Sequence, residues 1–473
     1  MAATNPFLYL QKNADENPRG VFLQSPTQTM TNAEAVVNAK KVAFELRRLG
    51  VRAGDIVALD LPDQLSIIFT EAVYHEGGIS TVIPDGAQPS IPVAWLFTNR
   101  GTTPPPGARA VAVDARFLQQ VEENPYGISP SDEHIETLRI VFSSGTTGTP
   151  KAIGLVRAME TLMDYSLPMW FQGSPYLVLM DTGTAWGIGE FFLSMKAGQP
   201  FLSAGGASPD AIIELIAQNQ VKTIKGSPAQ VAAVVGALER QGRTLPSVQA
   251  VIVAGTVMPP GVAQRTRAAM EGCAIFGNYG STEAGGATTR LYESDDPFDA
   301  GHVSPGSVVE IVDEDDAPVA QGVVGRIRHR SPGMVQGYLG DPDATARAFK
   351  DGWFYPGDLG FLREDGGLTL TGRETEVLNA GGVKVDPNRL DHVAQAHEGV
   401  TDACSFEFVG PTGVPQIGLA LVADDALDVR ALSRALTAEF GTAAPALLAR
   451  VDEIPRGRTG KPLRRELAAT YSR

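Results

Sequence analysis

Cysteine is almost missing: Cys273 and Cys404 are the only two in 473 residues, and they stand far apart. That excludes a disulfide framework and a CxxC metal site. Histidine is scarce too. The six include no HExxH and no i,i+4 pair, His392 and His397 being five apart, so a zinc site held by the protein alone is not expected. Positive charge is short, with 39 basic against 54 acidic residues and a net charge of −15. This argues against nonspecific binding to nucleic acid or an anionic membrane, and an anionic ligand would need a local basic site. No apolar run approaches the roughly 20 residues that span a bilayer. The opening Met1-Ala-Ala-Thr-Asn-Pro-Phe7 lacks the basic and apolar regions of a signal peptide, so a reducing, cytoplasmic setting is expected. Low-complexity blocks and internal repeats are also lacking. With 43% hydrophobic and 20% charged residues, the whole chain is expected to fold, and its length suggests two or three domains.

What is present has a clear rhythm. Thr31-Asn-Ala-Glu34 has the spacing of a capping box, and Ala35, Ala39, Val42, Leu46 and Leu49 recur at helical intervals until Gly50. A strand is expected at 55–59. Further on, strand-like 176–180, 221–224 and 248–254 alternate with helical 186–197, 209–219 and 228–239. Alternation of this kind implies parallel sheets covered by helices, with ligands beyond the carboxyl ends of the strands. From about 301 short β-rich pieces with acidic turns suggest an antiparallel subdomain. Past Gly372 a smaller unit of mixed helix and strand begins, and the main boundary is placed near Arg373.

Five segments carry chemistry. Ile140-Val-Phe-Ser-Ser-Gly-Thr-Thr-Gly-Thr-Pro-Lys151 sets hydroxyls and glycines between an apolar strand and a lysine, the make-up of a phosphate-holding loop. It is not the P-loop of kinases and ATPases, because Pro150 stands at its last glycine and Ala152 at its Ser/Thr. Phe276-Gly-Asn-Tyr-Gly-Ser-Thr-Glu-Ala-Gly-Gly286 offers Tyr279 as a face for a purine, Thr282 for a phosphate and Glu283 as a hard oxygen ligand for magnesium. Alone, it is equally a glycine-rich turn. Asp351-Gly-Trp-Phe-Tyr-Pro-Gly-Asp358 ends in a carboxylate suited to two ribose hydroxyls, or forms a plain hairpin. Gly372-Arg-Glu-Thr-Glu-Val-Leu-Asn-Ala-Gly-Gly-Val-Lys384 puts charged residues before paired glycines. Pro455-Arg-Gly-Arg-Thr-Gly-Lys461 is a basic loop near the end of an acidic chain, which by itself reads as a solvated tail.

Together, in this order, the five resemble the adenylate-forming superfamily of acyl- and aryl-CoA synthetases, nonribosomal peptide adenylation domains and firefly luciferase. The resemblance runs from about residue 30 to the end. It implies a large α/β core, 1–372, with parallel sheets and an antiparallel β subdomain, and a small mobile α+β domain, 373–473. It implies ATP and magnesium as cofactors, a small carboxylate as substrate, and coenzyme A or the phosphopantetheine of a carrier protein as acceptor. Residue by residue, Ser143, Ser144, Gly145, Thr146, Thr147, Gly148 and Lys151 match the loop that holds the pyrophosphate of ATP. Gly255 lies in the strand end that frames adenine; Asn278 and Tyr279 match the adenine neighbours, Asp358 the ribose ligand and Arg373 its basic companion. Thr282 matches the phosphate-contacting threonine and Glu283 the magnesium ligand. Lys461 matches the lysine that bridges carboxylate and α-phosphate, Gly381 and Gly382 the thiol channel, and Thr375 the hinge.

Four positions depart from the family pattern: Thr375 lacks the usual hinge charge, Pro356 replaces a hydroxyl, Arg389 stands where glutamate is usual, and Ala152 replaces a glycine. None removes a nucleotide ligand, so adenylation is expected and the second half-reaction is the open point. Joint retention of Lys151, Thr282, Glu283, Asp358 and Lys461 speaks against a non-catalytic, nucleotide-binding relative. Met180-Asp-Thr-Gly-Thr-Ala-Trp-Gly-Ile-Gly-Glu190 falls where the family places its substrate gate, making Trp186 a candidate pocket wall, or equally a core tryptophan, with Gly280 a second pocket candidate. Absence of a Phe-Asp-x-Ser segment argues against an amino-acid substrate, and the short, proline-rich stretch 84–107 argues against a long lipid tunnel.

Overall fold

Apolar strands sandwiched between capped helices set the architecture. The computed structural model describes residues 5–84, 89–133, 136–143, 150–155, 175–293, 296, 298–374, 378–380, 383–410, 414–457 and 461–471. The capping box of the second helix forms as its spacing predicts: Thr31 Oγ1 accepts from the Glu34 N–H and Glu34 accepts from the Thr31 N–H, opening Asn32–Leu49, which Gly50 closes at φ +97°. Ser227 and Gln230 build the same box at the head of Pro228–Gln241.

Six strands make one sheet in the order Arg109–Ala112, Trp95–Thr98, Ile56–Asp60, Ile79–Thr81, Arg139–Ser143, Lys151–Leu155, parallel except for the last pair. A larger, fifteen-stranded sheet has a parallel half that includes Phe201–Ser203, Tyr176–Val178, Thr223–Gly226, Ala250–Ala254 and Ala274–Ser281. Helices Asn32–Leu49, Asp63–His75 and Ala185–Ala197 contribute to the core associated with both sheets. On the other face of the larger sheet lie Pro209–Asn219, Pro228–Gln241 and Pro260–Ala269.

The antiparallel region expected from about 301 is present, but it is not detached. Ala274–Ser281 turns back into Gly285–Leu291, and the pairing continues through Asp299–Val303, Gly367–Arg373, Asp358–Leu362 and Gly325–Arg330, so the antiparallel half grows directly off the parallel one. Beyond it, Val400–Val409, Pro415–Ala423 and Leu447–Arg450 form a separate three-stranded sheet with its own apolar cores. Among the described residues no helix is long and apolar enough to cross a membrane.

Candidate active site

The hairpin 274–291 carries the centre of the site. Gly280 is dictated by close approach, since a Cβ there would lie 2.3 Å from the Gly285 carbonyl oxygen. Just before it, the Tyr279 hydroxyl donates to Asp358 Oδ2 at 2.6 Å, and Arg373 Nε donates to Oδ1 at 2.5 Å. Asp358 and Arg373 are direct partners across their two strands. Burial, followed by the charge of Asp358, pushes the Tyr279 phenol well above its usual range, so it stays a donor. Behind them sits His329, fully buried, neither ring nitrogen hydrogen-bonded, with burial lowering its pKa to about 4.

Just past the bend a second cluster forms. The Tyr338 hydroxyl donates to Glu283 Oε1 at 2.8 Å, and Lys151 Nζ lies 4.6 Å from the centre of the same ring. Backbone bonds fix this meeting: Leu339 N–H donates to Ala152 O at 2.8 Å and Val335 N–H to Glu283 O at 2.9 Å. Lys151 and Glu283, the candidate phosphate and magnesium ligands, are thus brought to one tyrosine. Thr282 is the half-buried turn residue between the clusters. Asn278 Oδ1 accepts from Thr289 Oγ1 at 3.2 Å, and Gly255 turns the chain at φ +92° at the carboxyl end of Ala250–Ala254.

Ser143 ends the strand leading into the loop. Ser144, Gly145, Thr146, Thr147, Gly148, Thr375, Gly381 and Gly382 lie outside the described residues. Lys461 stands on a separate loop beside the C-terminal sheet: its carbonyl accepts from Gly457 N–H at 2.9 Å, while neighbouring Arg456 and Arg464 pair with Asp402 and Asp391 at 2.6 and 2.7 Å. Arg389, the unusual residue of that region, pairs with Glu439 at the surface. Trp186 is half-buried at the head of Ala185–Ala197, and its Nε1–H donates to Glu190 Oε1 at 2.9 Å.

Three partners escaped the sequence: Tyr338, Arg139 and Asp63. Arg139, with no exposed surface, donates from Nη2 to Thr182 O at 2.7 Å, while Asp63 Oδ1 accepts from the Thr182 N–H and Oγ1 at 3.1 and 2.6 Å. Thr182 lies in the segment leading to Trp186, so Arg139 at the start of strand Arg139–Ser143 and Asp63 on helix Asp63–His75 together clamp the candidate substrate segment. Both cysteines are buried, and burial raises the thiols to about 11 at Cys273 and about 12 at Cys404, which disfavours the thiolate form.

The family model for AMP-binding enzymes matches residues 103–339. The chain is 30% identical to a medium/long-chain-fatty-acid–acyl-carrier-protein ligase, FadD10, of Mycobacterium tuberculosis, over 97% of this chain and 94% of that one. It is 26% identical to 2-succinylbenzoate–CoA ligase of Geobacillus kaustophilus, over 97% and 96%. Its fold superposes on ATP-bound MatB of Rhodopseudomonas palustris with a TM-score of 0.83 at 20% identity, covering 100% of this chain and 99% of that one. The chain belongs to the AMP-binding enzyme family, the adenylate-forming superfamily its five segments resemble. It is an ATP-dependent ligase that joins a carboxylate to AMP, with coenzyme A and carrier proteins both compatible as acceptors.

Proposed function

We propose that this ligase activates a small organic acid and passes the acyl group to the thiol of coenzyme A. A carboxylate oxygen bonds to the α-phosphorus of ATP as the bond to the β-phosphate bridge breaks, releasing pyrophosphate. The thiol then attacks the acyl carbonyl, loses its proton, and AMP leaves. What supports the assignment of residues most is the segment Tyr279–Glu283, which ties the Asp358–Arg373 pair to the Glu283–Tyr338–Lys151 cluster across a single bend. Asp358 would take the ribose hydroxyls, Tyr279 and Asn278 would flank adenine, and Gly255 would leave backbone room beside it. Lys151, Ser143 to Gly148 and Thr282 would hold phosphate oxygens. Lys461 would neutralise charge between carboxylate and α-phosphate, the kind of electrostatic help that dominates phosphoryl-type transfer.

Magnesium fits Glu283. Its carboxylate is buried, Oε1 accepts from Tyr338, and no described residue donates to Oε2. Among the described residues no three His, Cys, Asp or Glu side chains gather as a metal site, which suits an ion carried by one carboxylate and the phosphates of ATP. Bound there, magnesium would supply positive charge to phosphate oxygens.

The same reading divides the chain into a core, 1–372, and a C-terminal domain, 373–473, that turns about Thr375 to exchange Lys461 for the Gly381–Gly382 channel. A carrier-protein acceptor is the second reading, favoured by the name of the 30% identical relative. ATP–pyrophosphate exchange over a panel of acids tests the first half-reaction, and silence across the panel would sink the proposal. Adding coenzyme A, or a phosphopantetheinylated carrier, then separates the two acceptors by which thioester forms.

A further inference from the structure

Lys461 stands five residues after Arg456 and three before Arg464, and both arginines are anchored. Arg456 Nη2 donates to Asp402 Oδ1 and Oδ2 at 2.8 and 2.6 Å, near the start of strand Val400–Val409. Arg464 reaches further in. Its Nη2 lies 2.7 Å from Asp391 Oδ2 on helix Pro387–Gln395, and its Nη1 donates to the Ser405 carbonyl oxygen at 2.6 Å. Asp391 is buried and its other oxygen accepts the Ser405 N–H, so one carboxylate holds both the strand and the arginine.

Between the arginines the chain doubles back as a narrow hairpin. Gly457 N–H donates to Lys461 O at 2.9 Å, Leu463 N–H to Pro455 O at 2.8 Å, and Arg456 bridges to Pro462. Those bonds set the two arms against each other, but a lone two-stranded ladder can still tilt as a unit. The two ion pairs remove that freedom, because they meet the domain at separate points, one on a strand and one on a helix. Helix Arg464–Tyr471 has apolar anchorage of its own, with Leu467 buried and the Tyr471 and Phe406 rings stacked at 5.2 Å. An ion pair as buried as Asp391–Arg464 gives a fold little that apolar contacts would not, and directional precision is what it adds.

Resting on the role assigned to Lys461 above, we propose that Arg464–Asp391 and Arg456–Asp402 are positioning pairs that hold Lys461 at a fixed attitude to the C-terminal domain for adenylation. Neither arginine touches the reacting atoms; each acts through the lysine. A misplacement of about 1 Å is enough to cost on the order of a hundredfold in rate. The thiol step, from which Lys461 is withdrawn, does not draw on the pairs.

The test compares the two half-reactions. Exchange is measured with the acid the wild type uses best among acetate to dodecanoate, benzoate and phenylacetate. Thioester formation starts from the synthetic adenylate of that acid with coenzyme A, or with a phosphopantetheinylated carrier where coenzyme A is refused. Arg464→Lys keeps the charge and loses the two-pronged grip. It should lower the ratio of exchange to thioester formation at least fivefold, with the melting curve as the control on folding. Should that protein not fold, Arg456→Lys, whose pair is partly exposed, should lower the same ratio at least fivefold. A smaller change in the folded variant overturns the inference. An equal fall in both half-reactions overturns it too, being the mark of a merely structural role. Full exchange in Lys461→Ala defeats instead the role of the lysine on which the inference rests.

Discussion

Tyr338 does two jobs with one ring. Its hydroxyl orients Glu283 and its face receives Lys151, so the two charges that would meet ATP phosphates are set by a neutral side chain between them. Tyr338→Phe separates the roles, keeping the ring and removing the donor. Loss of a charge-assisted hydrogen bond in a buried setting should cost about 1–2 kcal/mol of stability. Adenylation should fall roughly tenfold, as expected for a mispositioned ligand. The KM for ATP should rise, measured across a magnesium titration. An unchanged magnesium response would show that Glu283 needs no orienting partner.

At the scale of elements, the hairpin 274–291 is the part that cannot give. Gly280→Ala places a methyl carbon against the Gly285 carbonyl, a backbone obstacle with no side chain to move aside. The substitution should cost about 2–3 kcal/mol, read as a lower denaturant midpoint, and should weaken ATP binding as Tyr279 and Glu283 shift together. This hairpin was also the hardest element to see. The helices announce themselves through local signals such as Thr31 with Glu34, whereas Gly-Asn-Tyr-Gly-Ser reads as a loop because Gly280 answers a contact made only after the chain folds back. Asp358, Arg373, Tyr279 and Glu283 were legible as residue types in order. Tyr338 was not, because its partner lies 55 positions away.

For the whole molecule, two buried groups pull the pH response in opposite directions. Glu71 is fully buried with neither oxygen hydrogen-bonded, and burial raises its carboxyl from 4.5 to about 8. A raised carboxyl contributes stability that is complete below about pH 4.5 and is lost as pH climbs toward 8. His329, lowered from 6.5 to about 4, contributes stability that is present above pH 6.5 and lost as pH falls toward 4. Their slopes oppose each other between 4.5 and 6.5, and from 6.5 to 8 the Glu71 slope acts without that of His329. Melting curves at pH 6.5 and 8 should show the wild type losing stability, with Glu71→Gln more stable at pH 8 by about 1–3 kcal/mol. Equal losses in both proteins would remove Glu71 from the account.

Division of labour between the two proposed domains makes a separate prediction at this scale. Lys461→Ala should abolish pyrophosphate exchange, while Gly382→Leu should spare exchange and block thioester formation. Full exchange activity in the lysine variant would end its assigned role.

The clamp on Thr182 gives the molecule a fixed measure. Arg139, rooted at the base of the phosphate-loop strand, and Asp63, on the neighbouring helix, grip the same residue by its carbonyl, amide and hydroxyl. If nucleotide and acid bind as proposed, the spacing between them would be set upstream of Thr184, where the helix bearing Trp186 and Glu190 begins. On the proposed reading, substitutions in that helix would change the acid accepted while the clamp on Thr182 stays, as a lock is re-keyed without moving its bolt.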